Sequence, residues 1–168
     1  TDGNYAGALT FTTRANGASN TEAMRIDSSG NLLVGKTSGS IGATGTAIYG
    51  GSNEGLIEST RDGANVMKLN RLSSDGDIAV FAKAGTTVGS IGANGGDLTI
   101  GTGDVGLKFN DASGLISPWD MTANAPEDAA IDLGYATGRF KDLHLSGNVV
   151  VGTAGKGIDF SAQAATSA

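Results

Sequence analysis

Apolar positions along the chain fall in short runs, and each run ends at Gly, Asn, Asp or Ser. Within a run the apolar residues alternate with polar ones or are β-branched, which is typical of half-buried strands. No run is long enough to predict a stable amphipathic helix. The runs that predict strands most clearly are 24–27, 31–35, 46–49, 66–72, 77–83, 97–100, 105–109, 140–145 and 148–152. Their regular spacing predicts an all-β fold.

Glycine-rich sequences between the runs predict hairpins and corners. Ser-Gly-Asn occurs at 29–31 and again at 146–148, and both copies supply residues that tolerate a positive φ angle. Gly-Ser and Gly-Thr patches predict junctions between modules, and they lie at 35–47, 84–96 and 152–157. The stretch 113–136 carries both Pro residues and the only Trp, and it is expected to hold the longest irregular loop.

Two short sequences recur in imprecise form. Residues 27–35 resemble residues 145–152, and residues 39–43 resemble residues 89–93. The repeats have no fixed period, so they indicate reuse of a short hairpin unit along an axis rather than a regular solenoid.

The amino-acid composition favours an oligomer over a monomer. Of 168 residues, 28 are Gly, more than twice the average usage of about 7%, without the G-X-Y period of collagen. Leu, Ile, Val and Phe together make up about a fifth of the chain, close to the level at which chains stay disordered. Folding must offset the backbone entropy that is lost. A chain with so thin a core gains from burying apolar groups against identical copies.

Charge excludes two classes of partner. The net charge is −6, and the eleven Lys and Arg residues form no basic stripe, which argues against nucleic-acid binding and against an anionic membrane surface. Cys is absent, and no segment approaches the roughly 20 apolar residues of a membrane span. Because the chain begins at Thr1 without Met, we expect a fragment or a processed product.

The N-terminal part of the chain carries the first motif with a family resemblance. Residues 7–14, Gly-Ala-Leu-Thr-Phe-Thr-Thr-Arg, run into residues 22–37, which contain Met-Arg-Ile-Asp-Ser-Ser-Gly-Asn-Leu-Leu-Val-Gly. This stretch resembles a module that recurs in tail fibre proteins of bacteriophages, including marine ones, and that ends in "MRIDSSGN(V/L)xxG".

The C-terminal third carries a second and more specific motif. Ile-Ser-Pro-Trp at 116–119 is followed by Ala-Ile-Asp-Leu-Gly at 130–134 and Gly-Arg-Phe-Lys-Asp-Leu-His-Leu-Ser-Gly at 138–147. This is similar to the fibre unit "DLGxxxxRFKDLYLSG", with His144 where the family usually has Tyr or another aromatic residue. Residues 155–162 resemble a further segment that often precedes a C-terminal region in such proteins.

The resemblance implies a protein of the virion that works in host attachment. It implies a parallel homotrimer, an elongated fibre of short strands with Gly-rich turns and a triple β-helix or β-prism cross-section. The implied partners are other copies of the chain, a host cell-surface glycan or protein receptor, and other tail or baseplate proteins. No active-site residue and no cofactor carry over, so we expect no enzyme. Such fibres are often followed by a self-cleaving chaperone, which would lie beyond residue 168.

The motifs suggest four modules. Residues 1–39 form an N-terminal β module, and residues 40–112 form a central Gly-rich β shaft. Residues 113–155 form a module with the Trp and Pro loop and the second motif, and residues 156–168 form an extension or linker.

Candidate site residues are few. Trp119 on its Pro-containing loop, with Tyr135, could stack on a sugar ring while Asp120 and Asn124 hydrogen-bond to hydroxyls. The competing interpretation, which we favour, makes Trp119 a core residue packed between chains. His144 is the only imidazole, and we expect it to be exposed or at an interface. Its alternative role is an axial metal or anion site formed by three copies.

Other functions fit parts of the sequence. A tailspike-type polysaccharide depolymerase would need two facing carboxylates and a long right-handed β-helix, for which the chain is short. A bacterial trimeric surface adhesin stalk or a capsid decoration fibre would share the same packing chemistry.

Overall fold

The computed structural model describes residues 7–51 and 54–152, which fall into two compact units divided between Ala79 and Val80. The predicted all-β fold is confirmed, because these residues form two antiparallel sheets and no α-helix. Within the described ranges there is no helix that is long and apolar enough to cross a membrane.

The first unit is built on a five-stranded meander in which every strand pairs with its neighbour in sequence. The strands are β1 (Leu9–Thr13), β2 (Thr21–Ile26), β3 (Leu32–Val34), β4 (Gly45–Ile48) and β5 (Ile57–Thr60). A bulge between Phe11 and Thr12 interrupts the β1–β2 ladder.

The turn between β2 and β3 is held by the side chain of Asp27. Its Oδ1 accepts the backbone N–H groups of Ser29 and Asn31, both at 2.9 Å, and its Oδ2 accepts the Asn31 amide at 2.9 Å. Gly30 takes φ = 81°, a left-handed conformation that favours glycine. The Asn31 Oδ1 also accepts the N–H of Gly50 at 3.1 Å. The first Ser-Gly-Asn sequence is therefore a hairpin turn, as predicted.

The second sheet is a six-stranded meander with the order β11-β10-β9-β8-β7-β6. Its strands are β6 (Gly76–Lys83), β7 (Thr86–Asn94), β8 (Asp97–Thr102), β9 (Val105–Asn110), β10 (Leu115–Asp120) and β11 (Ala125–Pro126).

Glycine allows a close approach at the centre of the second sheet. A Cβ atom at Gly101 would lie 2.3 Å from the carbonyl oxygen of Val105, and one at Gly106 would lie 2.7 Å from Cγ of Met121. Both distances are shorter than real carbon contacts, so the Met121 side chain can cover these positions only because neither residue has a side chain.

Within each unit the sheet is a single layer, and the apolar core of the described residues is correspondingly small. Only Leu33, Ala47 and Trp119 are buried apolar side chains among the described residues. Many larger apolar residues remain exposed, including Phe11, Ile57 and Ile116. A sheet normally buries one apolar face against another layer, and neither unit contains such a layer of its own.

Three predicted strands are wrong. Residues 66–72, 140–145 and 148–152 are described by the structure, and they form no strand. The second Ser-Gly-Asn shows one reason. Aligning Asn148 with Asn31 places His144 where the first copy has Asp27. Without the carboxylate that accepts the turn N–H groups, 145–152 has no comparable means to close a hairpin.

The predicted junction at 84–96 is also wrong, since it contains β7, the longest strand described. Its small residues face a crowded row: Ser90 lies in register with Gly101, and Gly101 with Gly106. A Cβ atom at Gly89 would lie 2.9 Å from the carbonyl oxygen of Gly101. Close strand packing explains Gly89, whereas Gly85, Gly95 and Gly96 take positive φ angles in the turns that flank β7.

The predicted irregular loop at 113–136 is wrong over residues 115–126, which contain β10 and β11. The suggested module boundaries at 39/40 and 112/113 fall inside the two sheets, between paired strands. The segment 156–168, the motif at 155–162 and most of the junction at 152–157 lie outside the described residues.

We predict that Gly101→Ala destabilises the protein by about 2 kcal/mol or more, because the new methyl group would overlap backbone atoms that cannot rotate away. Urea unfolding at fixed protein concentration measures the loss. The matched control is Gly7→Ala, where a Cβ atom has no neighbour within 4 Å, and it should change stability by less than about 0.5 kcal/mol. Equal effects of the two substitutions would contradict the proposed close approach.

The Asp27 turn predicts acid sensitivity. Burial opposes ionisation of Asp27, but the hydrogen bonds from Asn31 and from the Ser29 N–H outweigh it and hold the pKa below the usual 3.8. A lowered folded-state pKa stabilises the fold above pH 3.8, and this stabilisation is lost as the pH falls through the folded-state pKa.

We therefore expect Asp27→Asn to be less stable than wild type near neutral pH, with a difference that shrinks as the pH falls below the usual Asp pKa of 3.8. Unfolding free energies measured across that range test this expectation. Asp62→Asn, in an exposed turn, is the control. A gap between wild type and Asp27→Asn that is independent of pH would rule out the carboxylate as its source.

Candidate functional site

One face of the first sheet is uncharged and almost wholly apolar. Strand register aligns one large apolar residue from each of the five strands in a single row: Leu9, Ile26, Leu32, Ile48 and Ile57. A second row on the same face contains Phe11, Met24, Val34, Thr46 and Ser59. The two hydroxyls at its end hydrogen-bond to each other at 2.9 Å. We call this surface the first apolar face.

The second sheet repeats the arrangement. Its register aligns one row of Ala93, Leu98, Phe109 and Ile116, and a second row of Ile91, Ile100, Leu107 and Pro118. Leu98, Ile100, Leu107, Phe109 and Ile116 are all exposed. This surface, the second apolar face, also carries no charged residue on these two rows.

The opposite face of the first sheet is polar and satisfied within the chain. Arg25 donates to both carboxylate oxygens of Glu22, at 2.5 and 2.6 Å, and these bonds hold the pKa of Glu22 below its usual value. The hydroxyl of Tyr49 donates to Glu58 at 2.6 Å, which raises the pKa of Tyr49. Leu33 lies on this same face and is fully buried. This face therefore has less need of a partner than the apolar one.

The opposite face of the second sheet holds a connected polar network. The ammonium group of Lys108 lies 3.2 Å from Asp97 Oδ2 and donates to Asn94 Oδ1 at 2.9 Å. Asn110 donates to the same Asp97 oxygen at 2.9 Å. No buried side-chain nitrogen or oxygen of the described residues lacks a hydrogen-bond partner. These charges stabilise the sheet rather than present an open site.

Trp119 packs over this network and is only 4% exposed. Its indole N–H donates to Asn124 Oδ1 at 3.2 Å, and Lys108 Nζ lies 4.8 Å from the ring centroid, within cation–π range. The ring face needed to stack on a sugar is thus covered within the chain. Trp119 is a core residue, the interpretation favoured from the sequence, although the core it fills belongs to its own chain.

Asp120 and Asn124 shape the turn that returns the chain from β10 to β11. Asp120 Oδ1 accepts the N–H groups of Thr122 at 2.7 Å and Ala123 at 2.8 Å. Asn124 takes φ = 51°, which Asn tolerates better than most residues. The structure therefore brings three of the four receptor-contact candidates into one hairpin, where their polar atoms already have intramolecular partners.

Tyr135 lies after that hairpin, in a turn of its own, and it is 72% exposed. Its backbone pairs with Gly138 in both directions, at 3.0 and 3.1 Å, and its ring lies directly over Gly138. A groove of about 500 Å³ follows, lined mainly by Leu133, Tyr135, Arg139, Phe140, Asp142 and Leu143. Tyr135 is the receptor-contact candidate that remains available at the surface of the chain.

His144 is exposed, in a segment without strand structure. The described residues contain no group of three or more His, Asp or Glu side chains placed to hold a metal ion. An axial site formed by three copies of His144 remains a prediction about the oligomer.

Alternation at 67–72 and 77–83 predicted one buried and one wet face per strand, but it did not identify these two apolar faces. Alternation within a run shows only which residues share a face of one strand. It does not show which residues of neighbouring strands stand side by side, because turn lengths and the bulge after Phe11 set that register.

Comparison with protein-family models, with curated proteins and with solved structures finds no match to this chain.

Proposed function

We propose that this chain is a structural segment of a bacteriophage tail fibre that acts as a homotrimer in host attachment. The observation that carries the proposal is the pair of uncharged apolar faces, one on each sheet, that a single chain leaves exposed. The motifs at 22–37 and 130–147 supply the resemblance to tail fibre modules. The resulting protein belongs to the virion and works outside the cell.

Charge favours identical copies as the partners that cover these faces. Each chain carries a net charge of −6, so copies repel one another unless they meet through uncharged surfaces. The apolar rows supply such surfaces, whereas ionic groups such as Glu22, Arg25, Asp97 and Lys108 lie on the opposite faces of the sheets. Trimerisation therefore buries apolar surface without burying unpaired charge.

The size of the faces also suits an obligate assembly. A face of five or six strands covers on the order of 400 Å², at ~4.8 Å per strand and ~3.4 Å per residue. Two such faces approach the ~800 Å² per partner that stable interfaces bury. Because most of this surface is apolar, its burial is the principal stabilisation available to the chain.

Three copies fit the row geometry. The apolar rows run perpendicular to the strands. When the strands lie perpendicular to a fibre axis, the rows therefore run parallel to that axis. Three sheets around that axis can enclose their apolar faces in a prism and keep their polar faces in water. The family resemblance supplies the number of copies, and the direction of the apolar rows is compatible with three copies around one axis.

Repetition of the exposed contact residues in a trimer strengthens attachment to a host surface. A trimer presents three copies of each exposed contact residue, including Tyr135, so weak contacts to a host cell-surface glycan or protein receptor gain avidity. Other tail or baseplate proteins hold the segment on the virion.

The first experiment is the solution mass of the chain by light scattering, with an expected value of three times 16.6 kDa. Leu9→Asp tests the first apolar face, because an unpaired carboxylate there opposes burial and should weaken association by about tenfold or more. Thr10→Asp is the matched control, since it adds the same charge to the next residue of β1, on the opposite face. A folded monomer of the wild-type chain, or equal effects of the two variants, would overturn the proposed assembly.

Attachment itself is tested on an array of bacterial surface polysaccharides. We expect the oligomer to bind a subset of them, and the dissociated Leu9→Asp variant to bind at least about 100-fold more weakly because avidity is lost. Thr10→Asp should bind as the wild type does. Binding that is equally strong for the dissociated variant would show that repetition plays no part.

A further inference from the structure

The groove beside Tyr135 contains two aromatic rings that lie against glycines of one short turn. A Cβ atom at Gly138 would overlap the Tyr135 ring, and one at Gly134 would lie 3.5 Å from Cδ2 of Phe140. The backbone of Tyr135 pairs with Gly138 in both directions. Both rings therefore pack on backbone that carries no side chain, and they are still 72% and 66% exposed. The turn presents them to solvent in defined positions.

Two charged side chains complete the lining of the groove, and neither is strongly bound within the chain. Arg139 forms no ion pair or side-chain hydrogen bond among the described residues. Asp142 approaches Lys141 at 3.8 Å, in a pair whose side chains are both exposed and which therefore contributes little. Asp120 and Asn124 differ, because their polar atoms already have intramolecular partners. The hydrogen-bonding capacity of Arg139 and Asp142 is open to a ligand.

Aromatic rings beside open polar groups indicate the class of ligand. A pyranose ring has an apolar C–H face, which packs on an aromatic ring, and hydroxyl groups that both donate and accept hydrogen bonds. The guanidinium of Arg139 offers donors and the carboxylate of Asp142 offers acceptors, so together they can satisfy a hydroxyl group in both roles. A wholly apolar ligand would instead desolvate these two charges without pairing them.

Charge favours a neutral sugar over an acidic one. The segment 132–142 contains two Asp, one Arg and one Lys, so it supplies no net positive charge. A carboxylated sugar in the groove would meet the carboxylate of Asp142 and the field of a chain whose net charge is −6. A neutral hexose avoids both repulsions.

The size and openness of the groove suit a sugar unit within a polymer. Its volume of about 500 Å³ lies within the roughly 300 to 1,000 Å³ that is typical of small-molecule sites. The apolar residues that line it are all exposed, namely Leu133, Tyr135, Phe140 and Leu143. Because the groove is open to solvent along the surface, a polysaccharide can enter it without presenting a free chain end.

We propose that this groove binds a neutral hexopyranose unit of a host surface polysaccharide. The apolar face of the sugar packs on Tyr135 and Phe140, and its hydroxyl groups hydrogen-bond to Arg139 and Asp142. The inference rests on the proposed function in host attachment and deepens it by assigning a binding site and a class of sugar. Phe140, Arg139 and Asp142 were not candidates from the sequence, because the bridge between Tyr135 and Gly138 brings them to the groove.

Titration of the full chain with methyl glycosides of glucose, galactose and mannose, followed by NMR, tests the site. We expect at least one of them to bind with a dissociation constant on the order of 1 mM, the affinity that ligand efficiency gives a ligand of about a dozen heavy atoms. Tyr135→Ala should weaken binding by about tenfold or more, whereas Tyr135→Phe keeps the ring and should retain binding. Phe81→Ala removes an exposed aromatic ring elsewhere in the same unit and is the matched control.

The two charged residues are tested with an acidic probe, methyl glucuronoside. We expect the wild type to bind it about tenfold more weakly than the neutral glycosides. Arg139→Gln and Asp142→Asn should each weaken binding of the neutral glycoside about threefold or more, because each removes a hydrogen-bond partner. Asp142→Asn should also narrow the difference between acidic and neutral probes. An unchanged preference in Asp142→Asn would contradict the position of that carboxylate in the site.

The outcomes separate this inference from the proposed function. Selective loss of glycoside binding in Tyr135→Ala, with binding kept in Tyr135→Phe and Phe81→Ala, is the expected result. A wild-type chain that binds none of the neutral glycosides, or binds them equally well after Tyr135→Ala, would overturn the site. Binding of the oligomer to surface polysaccharides would then still support host attachment. A monomer that binds glycosides in the groove would overturn the homotrimer and leave the site standing.

Discussion

Burial of the two apolar sheet faces is the interaction on which the rest of this structure depends. Each sheet is a single layer within its unit, and its ion pairs and its buried apolar side chains lie on the polar side. Hydrophobic burial is the main term that offsets chain entropy in folding, yet only Leu33, Ala47 and Trp119 among the described apolar residues are withdrawn from water. The stability of such a chain therefore depends on how much apolar surface of its Leu, Ile, Val and Phe rows is withdrawn from water.

The two faces of each sheet differ in how their side chains are stabilised. On the polar side, ion pairs such as Glu22–Arg25 and Asp97–Lys108 satisfy charges within one chain. On the apolar side, register aligns like residues across strands and excludes charge. In the proposed homotrimer, this segregation keeps the repelling groups of the acidic chains in water while the uncharged rows meet. Glycine has a related role at Gly101 and Gly106, where its small size lets Met121 cover the sheet closely.

Sequence reasoning recovered most of the fold and less of the site. Strands β2, β3, β4, β6, β8 and β9 follow from alternation, and the Asp27 turn follows from its Ser-Gly-Asn sequence. Strand β7 was missed because its Gly and Ser residues resemble turn formers, when they are required by close packing against Gly101. Trp119 was expected to be a core residue between chains, and the structure buries it within its own chain. The hydrogen bonds that occupy Asp120 and Asn124 depend on a turn conformation that residue types alone do not specify.

The strands predicted at 66–72, 140–145 and 148–152 show most clearly what alternation can and cannot predict. Alternation reports which way side chains point relative to an apolar surface, and it does not report which chain supplies that surface or the hydrogen-bond partner. The two Ser-Gly-Asn copies show the difference. Asp27 gives the first copy a local turn that brings its own partner strand back, whereas the second copy has His144 at the corresponding position and 145–152 form no strand. Alternation therefore predicts which residues share a face, and the turn residues decide whether the same chain supplies the neighbouring strand.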